Sequence, residues 1–335
     1  MAQDLTHVAI IGPGAIGCLL AVRLARATGG TRVTLVDYRP DRAARLSARP
    51  IRVRAADVAR PACPAVGVCA EFATGGQAGR GAATLETRVP VRTAPDGPVD
   101  LVLLAVKAHA ARAAAVAAAA WIGRAPVVCL QNGLGVVAEV AAALPHSAVI
   151  TAVSYQAANL AGEGEVNHVA NLPTHLGYEG RPPDGAVRAA ADVFLRAGLP
   201  AAVEQDMTSL VWGKLIINAA INPVAALAGA ANGEVAARPT LRALAESIAE
   251  EGQNAARARG VALPYPDAAE AALETARATA ANRCSMLQDL EAARPTEIEY
   301  LNGAIVREAQ ACGAAAPVNR AVAALVRQVS AAGRG

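Results

Sequence analysis

The chain has 335 residues, of which 54% are hydrophobic and only 3% aromatic, and its net charge is +3. That length points to two domains, and the composition predicts cores built from aliphatic side chains and closely packed alanine helices. The charge is mild and comes in no block of one sign, so neither nucleic acid nor a membrane is expected as a partner.

The N-terminus carries no basic leader followed by an apolar core, and two apolar stretches, residues 113–122 and 215–231, are respectively too short and too interrupted to span a bilayer. A cytoplasmic protein is expected. Six cysteines (Cys18, Cys63, Cys69, Cys129, Cys284, Cys312) show neither metal-ligand spacing nor a disulfide framework. The five histidines are equally dispersed, and no metal site is expected.

Residues 6–11 form a β-rich run that leads directly into Gly12-Pro13-Gly14-Ala15-Ile16-Gly17. A helix-like segment over 18–27 and a second strand over 31–36 follow, with Asp37 twenty residues after Gly17. This is the dinucleotide-binding fingerprint in its proper context. Gly12 permits the tight turn, Gly14 lets backbone amides approach a pyrophosphate, and Gly17 lets the helix pack on the strand. Residues 55–84 are rich in Ala, Gly, Pro and Arg and read as an irregular insert. Order is expected to return at 85–92. The runs 101–106, 127–130 and 148–153 then read as buried parallel strands. Ligands bind at the carboxyl ends of such strands, where Lys107 and Asn132 lie. Residues 165–170 and 175–178 are expected to pair as a hairpin, with His168 and His175 in packing or surface roles.

Beyond a boundary near Gln205 the chain is expected to be almost wholly helical, with breaks near its prolines. Here Lys214, Asn218 and Asn222 recur at intervals of four in a greasy stretch, which puts them on one helix face. Pro223 is expected to end or kink that helix. Of 31 basic residues only Lys107 and Lys214 are lysines. An ammonium can give up a proton and a guanidinium cannot, so a lysine kept in an arginine background points to proton chemistry. Thr296 and Glu299 form a capping box that predicts a helix start after Pro295, with Glu297 in its first turn. By position alone, Glu297 could serve only the helix dipole and Ser285 only as a cap.

These motifs together resemble the ketopantoate reductases (2-dehydropantoate 2-reductases) of the 6-phosphogluconate-dehydrogenase-like group. The resemblance rests on the glycine turn, Val106-Lys107-Ala108, Gln131-Asn132-Gly133-Leu134-Gly135, and Trp212-Gly213-Lys214-Leu215 with Asn218 and Asn222-Pro223. Asn232-Gly233-Glu234, Ser285-Met286-Leu287-Gln288-Asp289 and Thr296-Glu297-Ile298-Glu299-Tyr300 complete it. It implies an α/β Rossmann-type N-terminal domain, residues 1–204, and an all-α C-terminal domain, residues 205–335, with a cleft between them. It further implies reduction of ketopantoate to pantoate, for the pantothenate pathway, by NADPH or NADH, in a chain for which a homodimer is the candidate assembly. Lys214 matches the family's general acid. Asn218, Asn222, Asn232 and Ser285 match substrate-binding positions, and Asn132 matches a residue at the junction of cofactor and substrate. Lys107 matches a cofactor contact, Ala158 a backbone position beside the cofactor, and Glu297 a residue near the substrate hydroxyl and the nicotinamide end.

One segment departs from the pattern. NADPH-preferring members carry an arginine just after the second strand, whereas this chain reads Val36-Asp37-Tyr38-Arg39-Pro40. Asp37 could accept hydrogen bonds from the ribose hydroxyls of NADH, and Arg39 could swing in towards the extra phosphate of NADPH. The residues lean to NADH and the family to NADPH. Another small 2-keto acid as substrate, or a non-catalytic dinucleotide sensor, are the alternative functions.

Overall fold

A computed structural model describes residues 7–27, 30–55 and 84–333. The chain divides into two compact units. The first takes the described residues up to Gln131 together with Val136–Met207, and the second takes Asn132–Gly135 and the described residues from Thr208 onwards. The expected insert at 55–84 falls, apart from its two end residues, outside the described residues.

The first unit runs β1 (His7–Ile11), α1 (Ala15–Ala25), β2 (Arg32–Val36), α2 (Pro40–Ala48), β3 (Ile51–Ala55), β4 (Thr84–Thr87), β5 (Val91–Arg92) and β6 (Leu101–Leu104). It continues with α3 (Ala108–Ile122), β7 (Val127–Cys129), α4 (Val136–Ala143), β8 (Val149–Ser154), β9 (Ala157–Gly162), β10 (Glu165–Ala170), β11 (Thr174–Gly177), α5 (Gly185–Arg196) and β12 (Ala201–Val203). Eight strands form one sheet in the order β12-β11-β8-β7-β6-β1-β2-β5. From β8 to β5 every pairing is parallel. The strands β1, β6 and β7 are buried along their whole length, as the apolar runs require. From β1 the chain crosses to β2 on one side and later returns to β6 on the other. The carboxyl end of β1 is therefore the topological switch point, where open α/β sheets take their ligands.

A second sheet, β4-β3-β10-β9, shares a core with α1, and Ile51, Val53 and Val166 belong to the same buried apolar cluster as Leu20 and Leu24. This corrects the expected hairpin of 165–170 with 175–178. β10 pairs antiparallel with β9 in the small sheet, while β11 pairs antiparallel with β8 in the large one. His168 and His175 are both buried, at 2% and 0% exposure. The run at 101–106 also ends early, so that Lys107 stands at the N-cap of α3.

The second unit comprises α6 (Thr208–Ala228), α7 (Asn232–Ala237), α8 (Pro239–Ala258), α9 (Ala268–Ala278), α10 (Ser285–Glu291), a 3-10 turn (Ile298–Tyr300), α11 (Asn302–Ala311) and α12 (Pro317–Ala332). Its central rod is α6. The helix is long and apolar enough to cross a membrane, but 78% of its most apolar window is buried within the protein. Each Leu or Ile so buried contributes roughly 1.5–3 kcal/mol. Small residues bring the neighbouring helices close. A Cβ on Gly252 of α8 would stand 2.9 Å from Ile216, and one on Gly213 would stand 2.7 Å from Pro264.

Pro223 does not end this helix; α6 continues through it to Ala228. A proline has no N–H, so the carbonyl four residues earlier, that of Ala219, loses its helical donor. Asn302 supplies the replacement. Its Nδ2 donates to Ala219 O at 3.1 Å and to Asn319 Oδ1 at 3.0 Å. Asn319 is held in turn by donating to Ile248 O and to Glu251. Both asparagines are fully buried. The capping box at Thr296–Glu299 likewise does not start an α-helix. Glu297 opens the 3-10 turn instead, and α11 begins only at Asn302.

Candidate active site

In the first unit the glycine turn leaves β1 along a path that side chains would block. Gly12 has φ +106°, and a Cβ there would lie 2.7 Å from the Val106 side chain. A Cβ on Gly17 would lie 2.0 Å from the carbonyl oxygen of Gly12, so the first turn of α1 packs directly on the loop. Gly14 faces open space on its Cβ side. It N-caps α1 without a side-chain hydrogen bond, and the first turn holds no acid. The amides of Ala15, Ile16 and Gly17 have no acceptor within the helix, and the positive end of its dipole is uncompensated. Such an end receives a phosphate. Pro13 is buried beside it.

Gln131, at the end of β7, fixes the neighbouring strand end. Its Nε2 donates to Leu104 O at 2.7 Å and to Val106 O at 3.0 Å, and this holds the segment leading into Lys107. In the amino-acid sequence Gln131 stands out only as part of a motif. Its spacing carries no signal of this double bond, because its partners lie 27 and 25 residues away. Ala158 sits in β9 of the small sheet, opposite His168, and packs with Ile16 against the core shared with α1.

Asp37 follows β2 and is only 1% exposed. Its Oδ1 accepts from Arg39 N at 3.1 Å and from Arg42 Nη2 at 2.7 Å, and its Oδ2 accepts from Arg42 Nε. Tyr38, by contrast, is 81% exposed, with the Arg39 guanidinium 6.0 Å above its ring. Burial pushes the nearby Cys18 thiol up to about 12, with smaller effects from Arg42 and Asp37, so Cys18 is no nucleophile.

In the second unit the polar stripe has a sharp outline. From Leu210 to Ala226 every residue of α6 is buried except Lys214, Asn218 and Asn222. The backbone around the stripe is fastened on both sides. Tyr265 donates its hydroxyl to Gly213 O at 2.9 Å, and the Cys284 thiol donates to Asn222 O at 3.4 Å. The second bond brings the stripe to the residue preceding Ser285, which is exposed and opens α10. Asn232 is buried; its backbone N–H donates to Asn282 O and its Nδ2 donates to Thr279 Oγ1, each at 2.9 Å. Its Oδ1 has no hydrogen-bond partner among the described residues.

Glu297 is buried at 5% exposure. The 3-10 turn that it opens is tied to the loop bearing Asn132, because Leu134 N donates to Tyr300 O at 3.0 Å. Gly133 makes that approach possible: a Cβ there would stand 2.3 Å from the same oxygen. Asn132 thus joins the unit that holds Lys214 and Glu297, although it follows a strand of the sheet. Within this unit lie one ammonium, several carboxamides, a hydroxyl and a buried carboxyl. This set can bind a small anion and give a proton to a developing alkoxide.

Residues 8–180 match the family model described as "Ketopantoate reductase PanE/ApbA", and residues 206–330 match its counterpart "Ketopantoate reductase PanE/ApbA C terminal". A 2-dehydropantoate 2-reductase of Halobacterium salinarum is 31% identical over 323 residues, covering 96% of this chain and 98% of that protein. One from Archaeoglobus fulgidus is 38% identical over 204 residues, 61% of this chain and 68% of the relative. Among solved structures, a PanE/ApbA family ketopantoate reductase from Ralstonia eutropha JMP134 superposes with a TM-score of 0.81 at 28% identity. That match covers 98% of this chain and 100% of the other.

Proposed function

The chain belongs to the ketopantoate reductase family of oxidoreductases, and from that premise we propose that it reduces ketopantoate to pantoate with Lys214 as the general acid. The observation that carries the reading is the outline of α6, in which between Leu210 and Ala226 only Lys214, Asn218 and Asn222 escape burial. A polar row at a spacing of four on a core helix is unfavourable to keep unless something polar meets it.

In this reading the first unit is the dinucleotide-binding domain and the second the substrate domain. Gly12, Pro13, Gly14, Ala15, Ile16 and Gly17 receive the pyrophosphate of a nicotinamide dinucleotide. Lys107 and the Ala158 backbone lie along it, and Asp37 and Arg39 stand at its adenosine end. The uncapped amides of α1 and the bare Gly14 fit such a group. The bound coenzyme supplies hydride to the C2 carbonyl. Lys214 hydrogen-bonds that carbonyl oxygen, stabilises the negative charge that grows on it and delivers the proton that completes the alcohol. A positioned acid of this kind contributes about 10²- to 10⁴-fold. Asn218 and Asn222 hold the carboxylate. The Oδ1 of Asn232, which has no partner among the described residues, accepts from the substrate hydroxyl, and Ser285 adds a second hydroxyl contact. Asn132 and Glu297 close the site towards the nicotinamide.

Incubation of the purified protein with reduced coenzyme and a panel of 2-keto acids tests the substrate. The expected result is pantoate formed from ketopantoate faster than any other 2-hydroxy acid from its keto acid. If another 2-keto acid turned over while ketopantoate did not, the chain would be a family reductase of that acid.

A further inference from the structure

We propose that Asp289 and Arg294 are positioning residues for the reaction: their ion pair closes the turn that ends α10 and so fixes the point at which Glu297 enters the site. The inference rests on the reading given above, in which Glu297 faces the substrate. Ser285, at the start of the same helix, has a place in that reading. The acid near the other end of the helix has none.

The end of α10 combines two features that are each unfavourable. Ala293 has φ +50°, the only positive φ of a non-glycine residue among the described residues. Its N–H donates to Leu290 O at 3.0 Å, and Arg294 N donates to Asp289 O at 2.8 Å. This is the Schellman pattern of helix ends, in which glycine ordinarily holds the place that Ala293 takes. Asp289 lies in the last turn, where the helix dipole repels a negative charge, and its side chain is only 4% exposed. Arg294 offsets both. Its Nε donates to Asp289 Oδ1 at 3.0 Å and its Nη2 to Gln288 O at 3.2 Å, so one side chain ties the acid to the last turn. A strained residue and a buried acid kept together at one turn point to a function for that turn.

What the turn fixes is the segment that follows it. Pro295 locks its own φ and disfavours helical geometry at Arg294. Three residues span at most about 11 Å, so Glu297 stays within that reach of the pinned Arg294. Glu297 is buried there. On its other side, Glu297 O accepts from Tyr300 N at 3.0 Å, and Tyr300 O accepts from Leu134 N in the loop bearing Asn132. Glu297 is thus held from two directions, by that loop and by the clasp on α10. Opening the clasp leaves only the first.

Steady-state kinetics with NADPH and whichever 2-keto acid of the panel the wild type reduces fastest test this. Asp289→Ala removes the buried acid and returns Arg294, whose side chain is 56% exposed, to water, so no buried charge is stranded. The variant is expected to lose about 10- to 100-fold in kcat/KM, as a small misplacement of a group in the site implies. Asp289→Asn, whose carboxamide oxygen still accepts from Arg294 Nε, should stay within about threefold of the wild type. Glycine adopts the turn without strain, so Ala293→Gly added to Asp289→Ala should recover part of the loss. The deciding comparison is a double-mutant cycle. If Asp289 acts through Glu297, Asp289→Ala should change kcat/KM by less than about threefold once Glu297→Gln is in place. The full loss in both backgrounds, or no loss in either, overturns the inference and leaves the reading of Glu297 standing. A Glu297→Gln enzyme as fast as the wild type would overturn that reading, and the inference with it.

Discussion

Gly133 shows how a residue without chemistry can decide where the chemistry stands. Its φ of +98° lies in the region that side chains avoid, and any Cβ would collide with the carbonyl oxygen of Tyr300. The left-handed backbone alone costs a substituted residue about 1–2 kcal/mol, and the collision must also be relieved by shifting one of the two chains. Shifting either one moves Asn132 relative to the turn that Glu297 opens. Gly133→Ala is therefore expected to lower kcat/KM for the keto acid by at least about tenfold, following the sensitivity of catalysis to small misplacements. Affinity for adenosine 2′,5′-bisphosphate should stay close to that of the wild type. Steady-state kinetics and calorimetry on one preparation check both halves, and unchanged kinetics would show that the loop can yield without consequence.

At the scale of an element, α6 is continuous only because a distant side chain mends it. Asn302, 83 residues beyond Ala219, donates to the carbonyl that Pro223 leaves without its helical partner. Removing the amide should cost roughly 1–3 kcal/mol, the usual penalty of a stranded buried acceptor. A double-mutant cycle isolates the effect. Pro223→Ala restores an N–H at that position, so Asn302→Ala should destabilise that background less than it destabilises the wild type. Equal losses of unfolding free energy in urea would mean that Asn302 serves its other partner, Asn319, and not the helix.

The same helix marks what the amino-acid sequence does and does not disclose. The stripe of Lys214, Asn218 and Asn222 is legible because a period of four is a local property, and between Leu210 and Ala226 the structure leaves those three residues alone unburied. The glycine turn is legible for a similar reason: each of its residues answers a requirement met within a few positions. Continuation past Pro223 is not, since the mending donor lies on another helix. The pairing of 165–170 with 175–178 misreads the fold because a strand's period does not say which sheet it joins; β9, missing from the sequence reading, takes that place. The arginine that occupies Asp37 is only five residues away, yet the helix that brings it round is short and starts at a proline.

For the whole molecule, acid should expose one weak joint in the first unit. His168 is buried between Arg23 and Gln156, with its Nε2 hydrogen-bonded to Gln156 Oε1 at 2.9 Å. Burial, reinforced by the positive charge of Arg23, lowers its pKa from 6.5 to about 4. Between those two values the unfolded chain binds a proton that the folded chain refuses. Stability contributed here is therefore intact above pH 6.5 and declines as the pH falls towards 4. Relative to the wild type, His168→Gln should flatten that decline in urea unfolding measured across the interval, whatever its stability at neutral pH. An unaltered slope would assign the acid sensitivity to other groups.

Both halves of the functional account, the substrate and the acid, meet in the rate of a single turnover. Protein preloaded with NADPH is mixed rapidly with ketopantoate, and loss of the reduced-nicotinamide absorbance is followed in the wild type and in Lys214→Arg. Arginine keeps the positive charge but cannot release its proton at working pH. The expected result is prompt, stoichiometric reduction by the wild type. The variant should bind NADPH equally well and react about 10²- to 10⁴-fold more slowly, the span of a lost general acid. Equal rates in the two proteins would remove Lys214 from proton delivery, and no reduction by the wild type would contradict the assignment of ketopantoate itself.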